Sequence, residues 1–355
     1  MNTQPYYIVD EELEPGLRYT EHTMPTGKGE CRVCSLFRCG EEDPVSRLKL
    51  YSFAIRFGSI SVDAEGFGGV STEKAERRMG YLGKLLRRTL AGIRERTCVA
   101  FLYGVENLYQ KYGFTACLPE TKLTIWVQRL LETGADRGWR FEPGADADWK
   151  LEPHADTYIG EIISLYNAET AMRPWSRVRK ESEWPRLVHG ETWRPGPECF
   201  VLTHHGKFEG YAFIAGTNYG WMPRTYEVVE LAAKSNTAAA ALMLELGKKS
   251  WGLYCQNLVL REPPDGRCGT IAKSLSCEVH MNFNERGGGM GAILNRRRLL
   301  SILKDELSRR ASYGNLTIDD AVFEELCNSS LIPDDGHLMR LLTGSGLMRI
   351  IGPLS

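Results

Sequence analysis

Arg77 and Arg78 precede Gly80 at the entrance to a stretch in which Leu82, Leu85, Leu86, Leu90 and Ile93 recur at three- and four-residue intervals. Lys84, Arg87, Arg88, Arg94 and Arg96 fall mostly between them, so the spacing predicts an amphipathic helix with one buried stripe and a basic outer face. The loop that opens such a helix presents unpartnered backbone N–H groups at the positive end of the macrodipole. Gly80 lets a ligand approach the backbone, and two guanidinium groups add fixed charge. Residue types in this order suit an anion, above all a phosphate-bearing ligand. The plainer alternative is a glycine used only for packing.

Other chemistry-bearing residues are fewer. Cys31-x-x-Cys34 with Cys39 has the spacing of half a zinc site, but a structural zinc needs four ligands and no second pair completes the set. The alternation around Cys31, Val33 and Ser35 suits a strand, so these thiols are expected to be reduced and no metal site is expected. His204 and His205 are adjacent on a predicted hairpin strand, where neighbours point to opposite faces, and are assigned no chemistry.

Three extended runs must position the basic helix: Glu30 to Arg38, Leu48 to Phe57 and Ile60 to Ser71, with Gly58-Ser59 as a tight turn. Gly66, Gly68 and Gly69 weaken the last run and predict a bulge or a close backbone approach. Cys98 to Tyr103 reads as a short apolar strand and Val105 to Tyr112 as a short helix. Phe114 to Cys117 and Lys122 to Gln128 are expected to complete the same sheet. Glu132 to Trp149 reads as a linker.

Beyond it, Ala155 to Thr170 is expected to be helical, Glu198 to Thr203 and Phe208 to Gly216 a hairpin, Tyr226 to Leu231 a strand and Thr237 to Trp251 an Ala-rich helix. Gly287-Gly288-Gly289 reads as a hinge and Met290 to Arg310 as a helix. Asp319 to Leu326 and Asp334 to Leu342 read as short helices opened by aspartate caps. Residues 1 to 45 are acidic and carry no convincing pair of helices; their carboxylates read as a solvated face or as an approach for a cationic amine.

At 355 residues the chain exceeds one ordinary core, so more than one domain is expected. Apolar residues at 43% and charged ones at 25% are those of a soluble globular protein. A net charge of −1 provides no global field for nucleic acid or membranes, and no apolar run reaches spanning length. Met1 to Asp10 has neither a basic start nor an apolar export segment, which predicts a cytoplasmic location.

Val70-Ser71-Thr72 followed by Arg77-x-x-Gly80-Tyr81 resembles the acetyl-CoA-binding signature of the GNAT N-acetyltransferases, an R/Q-x-x-G-x-G/A loop. Leu82 replaces the last small residue, as in the Eis-like (enhanced intracellular survival) branch. Leu108-Tyr109-Gln110-Lys111-Tyr112-Gly113-Phe114 is similar to the segment closing that fold's catalytic half, and Leu165-Tyr166-Asn167 with Arg173, Arg177 and Trp184 is similar to the Eis-like central domain. The resemblance covers nearly all of residues 30 to 290. It implies an α/β fold (α+β, mixed sheet) of tandem GNAT-like domains. The first would span 1–136, bind acetyl-CoA and lack the usual opening helices. The second, 137–283, has no cofactor loop at Ala232 to Asn236, and 284–355 would be a short, mostly helical, reduced sterol-carrier-like segment.

The same resemblance implies acetyl-CoA as cosubstrate, contacted by Val70, Ser71, Thr72, Arg77, Arg78, Met79, Gly80, Tyr81 and Leu82. It places Tyr109 as the acid for the leaving thiolate, whose basicity a phenol of pKa near ~10 matches. Glu65 stands near the family's usual base, and the terminal carboxylate of Ser355 near a position that Eis-like chains bring into the site. The implied acceptor is a primary amine, either a small cationic amine of the aminoglycoside kind or a lysine side chain, and the implied assembly a homo-oligomer. A non-catalytic acyl-CoA-binding scaffold of the same fold is the rival class.

Overall fold

The computed structural model describes residues 7–26, 29–136, 148–153, 156–171, 173–184, 198–218, 224–263, 265–282 and 288–343. It divides into two compact units, one of residues 1–119, 171–178 and 283–355, the other of 120–170 and 179–282. Ser355 lies outside the described residues, as do Gly287 and most of the expected linker.

In the first unit the acidic start is a hairpin, β1 (Tyr7–Glu14) and β2 (Leu17–Thr26), turning at Gly16 with φ +82°. It continues antiparallel into β3 (Gly29–Arg38), β4 (Ser46–Phe57) and β5 (Ile60–Thr72). After α1 (Tyr81–Ile93) come β6 (Val99–Gly104) and β7 (Thr115–Leu118). The carboxylates that mask the first hairpin in the sequence have partners: Glu11 pairs with Arg88 and Glu14 with Lys84 on the outer face of α1, and Asp10 lies 3.3 Å from Arg18. Among the described residues no helix precedes Lys74.

The rest of this unit comes from far along the chain. β16 (Gly288–Ile293) enters the sheet between β6 and β7, antiparallel to both, giving the order β1-β2-β3-β4-β5-β6-β16-β7; β10 (Arg177–Val178) pairs with the end of β4. This corrects two expectations. Gly288 and Gly289 belong to an inner strand rather than a hinge, and the helix begins only at α6 (Arg296–Tyr313), capped by Asn295. Two further helices follow, α7 (Asp320–Cys327) and α8 (Asp335–Leu342), each capped by the expected aspartate, Asp319 and Asp334.

Strand alternation sorts the sheet's two faces. Leu36, Leu48, Leu50, Phe67, Ala100, Leu102, Met290 and Ala292 pack against Leu85, Leu86, Leu90 and Ile93 of α1. Ile55, Phe57, Val62, Ala64, Val99 and Phe101 pack against Leu299, Leu300, Leu303, Phe323, Leu338 and Met339 of the C-terminal helices, with Trp175 donating to the Leu342 carbonyl at 2.6 Å. The described part of the expected C-terminal segment thus covers one face of this unit's sheet.

The second unit repeats the plan. Its sheet runs β15 (Glu278–Asn282), β8 (Glu120–Trp126), β14 (Asn257–Leu260), β13 (Thr225–Ala233), β12 (Lys207–Asn218), β11 (Glu198–His204), β9 (Trp149–Pro153). α2 (Val127–Asp136), α4 (Asn236–Gly252) and α5 (Arg267–Ser274) cover one face and α3 (Ile159–Glu169) the other. β8 was expected to complete the first sheet, and the first boundary was expected at 136. Instead β8 lies between β14 and β15 as β16 lies between β6 and β7, so each sheet takes its penultimate strand from the other half of the chain. Arg173 and Arg177, read with the central domain, fall in the first unit. No described helix is long and apolar enough to cross a membrane.

Candidate functional site

In the first unit β5 and β6 run parallel and are paired only from Ala64–Val99 to Phe67–Leu102. β5 then continues to Thr72 bonded to β4 alone, through a bulge opposite Arg47 to Lys49 where Gly69 takes φ +56°. Between Gly68 and Thr72 the edge of β5 that faces away from β4 therefore has no strand partner among the described residues. The glycines predicted the irregularity, and Gly69 is the one whose conformation requires it.

The chain next makes a short 3-10 turn, Lys74–Glu76, an extended Arg77, Arg78 at φ +70° and Gly80 at φ +82°. Gly80 is the N-cap of α1 and, among the described residues, no side-chain hydrogen bond caps the helix. Arg77 closes the loop by donating from Nε to the Thr72 carbonyl at 3.3 Å, while Arg77 to Gly80 stay exposed. Tyr81 and Leu82 pack into the α1 core, and Arg38, tied to Glu76 at 2.5 Å, lies over the Tyr81 ring. Val70 packs at the margin of the same core; the Ser71 carbonyl and Thr72 hydroxyl are each 3.0 Å from the Ser46 hydroxyl. A cavity of about 380 Å³ beside Ser71 carries the carboxylates of Asp43 and Glu73 and the guanidinium of Arg47.

Tyr109 lies on this α1 face. It precedes a single 3-10 turn, Gln110–Tyr112, instead of the expected helix, and Gly113 at φ +88° ends that turn. Its ring is 7% exposed, meets Phe114 edge-on at 6.2 Å, and packs so closely on Gly104 that a Cβ there would come within 3.0 Å. Burial alone raises the phenol above its ordinary value of 10.0, with no charged or hydrogen-bonded neighbour contributing. A neutral phenol whose hydroxyl has no partner among the described residues can donate a proton.

Glu65 is placed differently. It sits on the paired part of β5, 4% exposed, with one oxygen bonded by Arg32 and by the Ser52 hydroxyl at 3.1 Å, and with Oε2 buried and without a hydrogen-bond partner among the described residues. Arg32 also holds the buried Glu21 at 2.6 Å, which Arg96 meets at 3.0 Å. Desolvation outweighs the attraction of Arg32 and pushes the Glu65 carboxyl above the usual carboxylate range. This chain of charges went unseen because Glu21 lay in a segment with no recognised strand. In the register of β2 it shares an inward face with Leu17 and Tyr19, and a charge in that register was the available signal.

The other candidates separate cleanly. Cys31 and Cys34 fall on opposite faces of β3, so they cannot close on one ion, and burial pushes the Cys34 thiol up to about 12. In the second unit the loop between β13 and α4 is only Lys234-Ser235, and the Ser235 hydroxyl caps α4 by accepting from Ala238 N at 3.0 Å. The body of β13 carries an ion pair: Glu230 is held by Arg179 through two 2.5 Å bonds and by Tyr211 at 2.8 Å, and Asn167 fixes the Arg179 backbone. The two units thus share a plan and differ at the helix entrance, open in the first and capped in the second.

Residues 13–117 match the acetyltransferase (GNAT) domain family model, the segment that contains the open helix. No curated protein matches the sequence. Among solved structures the chain is similar to a conserved protein of Enterococcus faecalis, with 15% identity and a TM-score of 0.56 over 76% of this chain and 64% of that one. A GCN5-related N-acetyltransferase of Anabaena variabilis aligns with 15% identity, 76% and 64% coverage and a TM-score of 0.57. Eis1 of Mycobacterium abscessus aligns with 19% identity, 79% and 69% coverage and a TM-score of 0.52. The chain spans 64% of the length of the first two, and at these identities the likeness is one of fold: two GNAT-like sheets in tandem.

Proposed function

Residues 13–117 being a GNAT acetyltransferase domain, we propose that the first unit binds acetyl-CoA and transfers its acetyl group to a primary amine. The observation that carries this is the uncapped entrance of α1 beside a parted parallel pair, where its counterpart in the second unit is closed by Ser235. The amides following Gly80, with Arg77 and Arg78, fit a diphosphate. Met79, at the tip of the loop, and the ring of Tyr81 and side chain of Leu82 would border it. The unpartnered edge of Val70 to Thr72 fits the amides of a pantetheine arm as one strand fits another.

Acetyl-CoA supplies the activated thioester; the residues supply position and protons. An N–H of the free edge near Val70 would polarise the acyl carbonyl. Tyr109, neutral and buried, would donate its proton to the departing thiolate. Glu65 we place as a brace beneath the sheet, because Arg32 and Ser52 already hold its carboxylate, which leaves solvent to take the amine proton. The carboxylates of Asp43 and Glu73 beside Ser71, two against the one guanidinium of Arg47, favour a small cationic amine or a lysine side chain as acceptor. A cytoplasmic homo-oligomer is the setting this reading expects, and light scattering tests the assembly.

Calorimetry with acetyl-CoA followed by a thiol-release assay over a panel of amines tests the proposal. Binding with release for at least one amine supports it, binding without release supports a non-catalytic acyl-CoA scaffold, and no binding removes both.

A further inference from the structure

We propose that the second unit, whose helix entrance is capped by Ser235, carries a binding site for a small organic cation at the end of α4. A cavity of about 760 Å³ opens there, within the usual range for ligand sites. Among the described residues its walls carry three aromatic side chains, Trp126, Trp251 and Tyr254, polar groups such as Asn257, and one charged side chain, the Glu278 carboxylate.

Strand alternation and an unusual turn build it. On β8, Leu123 and Ile125 face the α4 core, so Thr124 and Trp126 face the other way; Thr124 is paired with Glu278 and Trp126 with Asn257. α4 ends in a turn in which Tyr254 N–H donates to the Trp251 carbonyl at 2.9 Å and Cys255 N–H to that of Ser250 at 2.9 Å. Tyr254 there takes φ +57°, a left-handed conformation that this position normally gives to glycine or asparagine. Tyr254 is 80% exposed at the cavity, beside Trp251 at 57% and Trp126 at 67%. Three large rings on one exposed cavity are a surface arranged for contact.

The charge decides the ligand class. Aromatic faces are negative and attract a cation, and the carboxylate of Glu278, which lies 3.6 Å from the His280 ring, adds to that attraction. Arg224, whose charge reaches the Cys255 thiol, is not a lining residue. An anion would be repelled by Glu278, and a neutral apolar ligand would leave it unused. An ammonium carrying apolar substituents satisfies both rings and carboxylate.

The test is calorimetric titration of the full chain with choline and with its neutral isostere 3,3-dimethylbutan-1-ol. Saturable choline binding is expected, weakened about 3- to 30-fold for the neutral isostere and by a similar factor in Trp251→Ala and Tyr254→Ala. Glu278→Gln, a conservative change on an exposed strand, should weaken choline without affecting the isostere. No saturable choline binding, equal affinity for the isostere, or wild-type affinity in a Glu278→Gln protein of unchanged melting temperature would overturn the proposal.

Discussion

Tyr109 and Glu65 were both reached through family resemblance, and their surroundings now pull their roles apart. Tyr109→Phe removes one hydroxyl from a ring packed on Phe114 and Gly104; turnover should fall about 100-fold or more with acetyl-CoA affinity within about twofold. Because burial holds the phenol above 10.0, the pH–rate profile should show no falling limb from this group below about pH 10. For Glu65 the sign runs the other way from an ordinary salt bridge. Its folded pKa is raised above 4.5, so the folded state holds the proton more tightly and stability is lost as pH rises through the raised value. Glu65→Gln should therefore be as stable as the parent below the usual carboxylate range and more stable above it, seen as a melting-temperature difference that grows with pH. If Glu65 were instead the base, the same variant would lose turnover by orders of magnitude. Arg32→Ala leaves Glu21 and Glu65 buried without their shared partner and should cost about 3–5 kcal/mol in denaturant unfolding.

Two helices, α1 and α4, follow equivalent strands and differ in their first turns. Gly80→Ala meets no neighbour within 4 Å, so its effect is conformational: an L-residue at φ +82° costs about 1–2 kcal/mol, or shifts the loop and its amides. Acetyl-CoA affinity should fall at least about tenfold by calorimetry. Ser235→Ala removes the cap from α4 and should lower unfolding stability by about 1 kcal/mol without changing that affinity. The basic stripe of α1 was legible because a 3.6-residue period needs no partner to be recognised. The β1–β2 hairpin was not, because half its outward carboxylates answer charges on α1 rather than any local preference. β16 was misread because glycine signals freedom in a sequence, whereas here Gly289 is required by contact: a Cβ would lie 2.8 Å from that of Leu118.

At the scale of the molecule the exchanged strands make the two units one folding problem. A fragment of residues 1–136, a natural domain boundary by sequence, lacks β16 and the helices that cover Ile55, Phe57, Val62 and Ala64, and it keeps β8 without β14 and β15. It should be insoluble or lack cooperative unfolding by circular dichroism, while the full chain unfolds cooperatively. Contacts between strands nearly two hundred residues apart also predict slow folding.

Local pattern was enough to determine the glycine-opened basic helix, most strands and the aspartate caps, because periodicity and turn chemistry act between neighbours in the chain, while the tandem α/β plan came from the family resemblance. Only the tertiary structure decided which strand completes which sheet, that the C-terminal helices form a core face, and that Glu65 is held by Arg32. Pairing partners, burial and ion-pair competition depend on residues far apart in sequence, and nothing in a strand's own composition says whose edge it will complete.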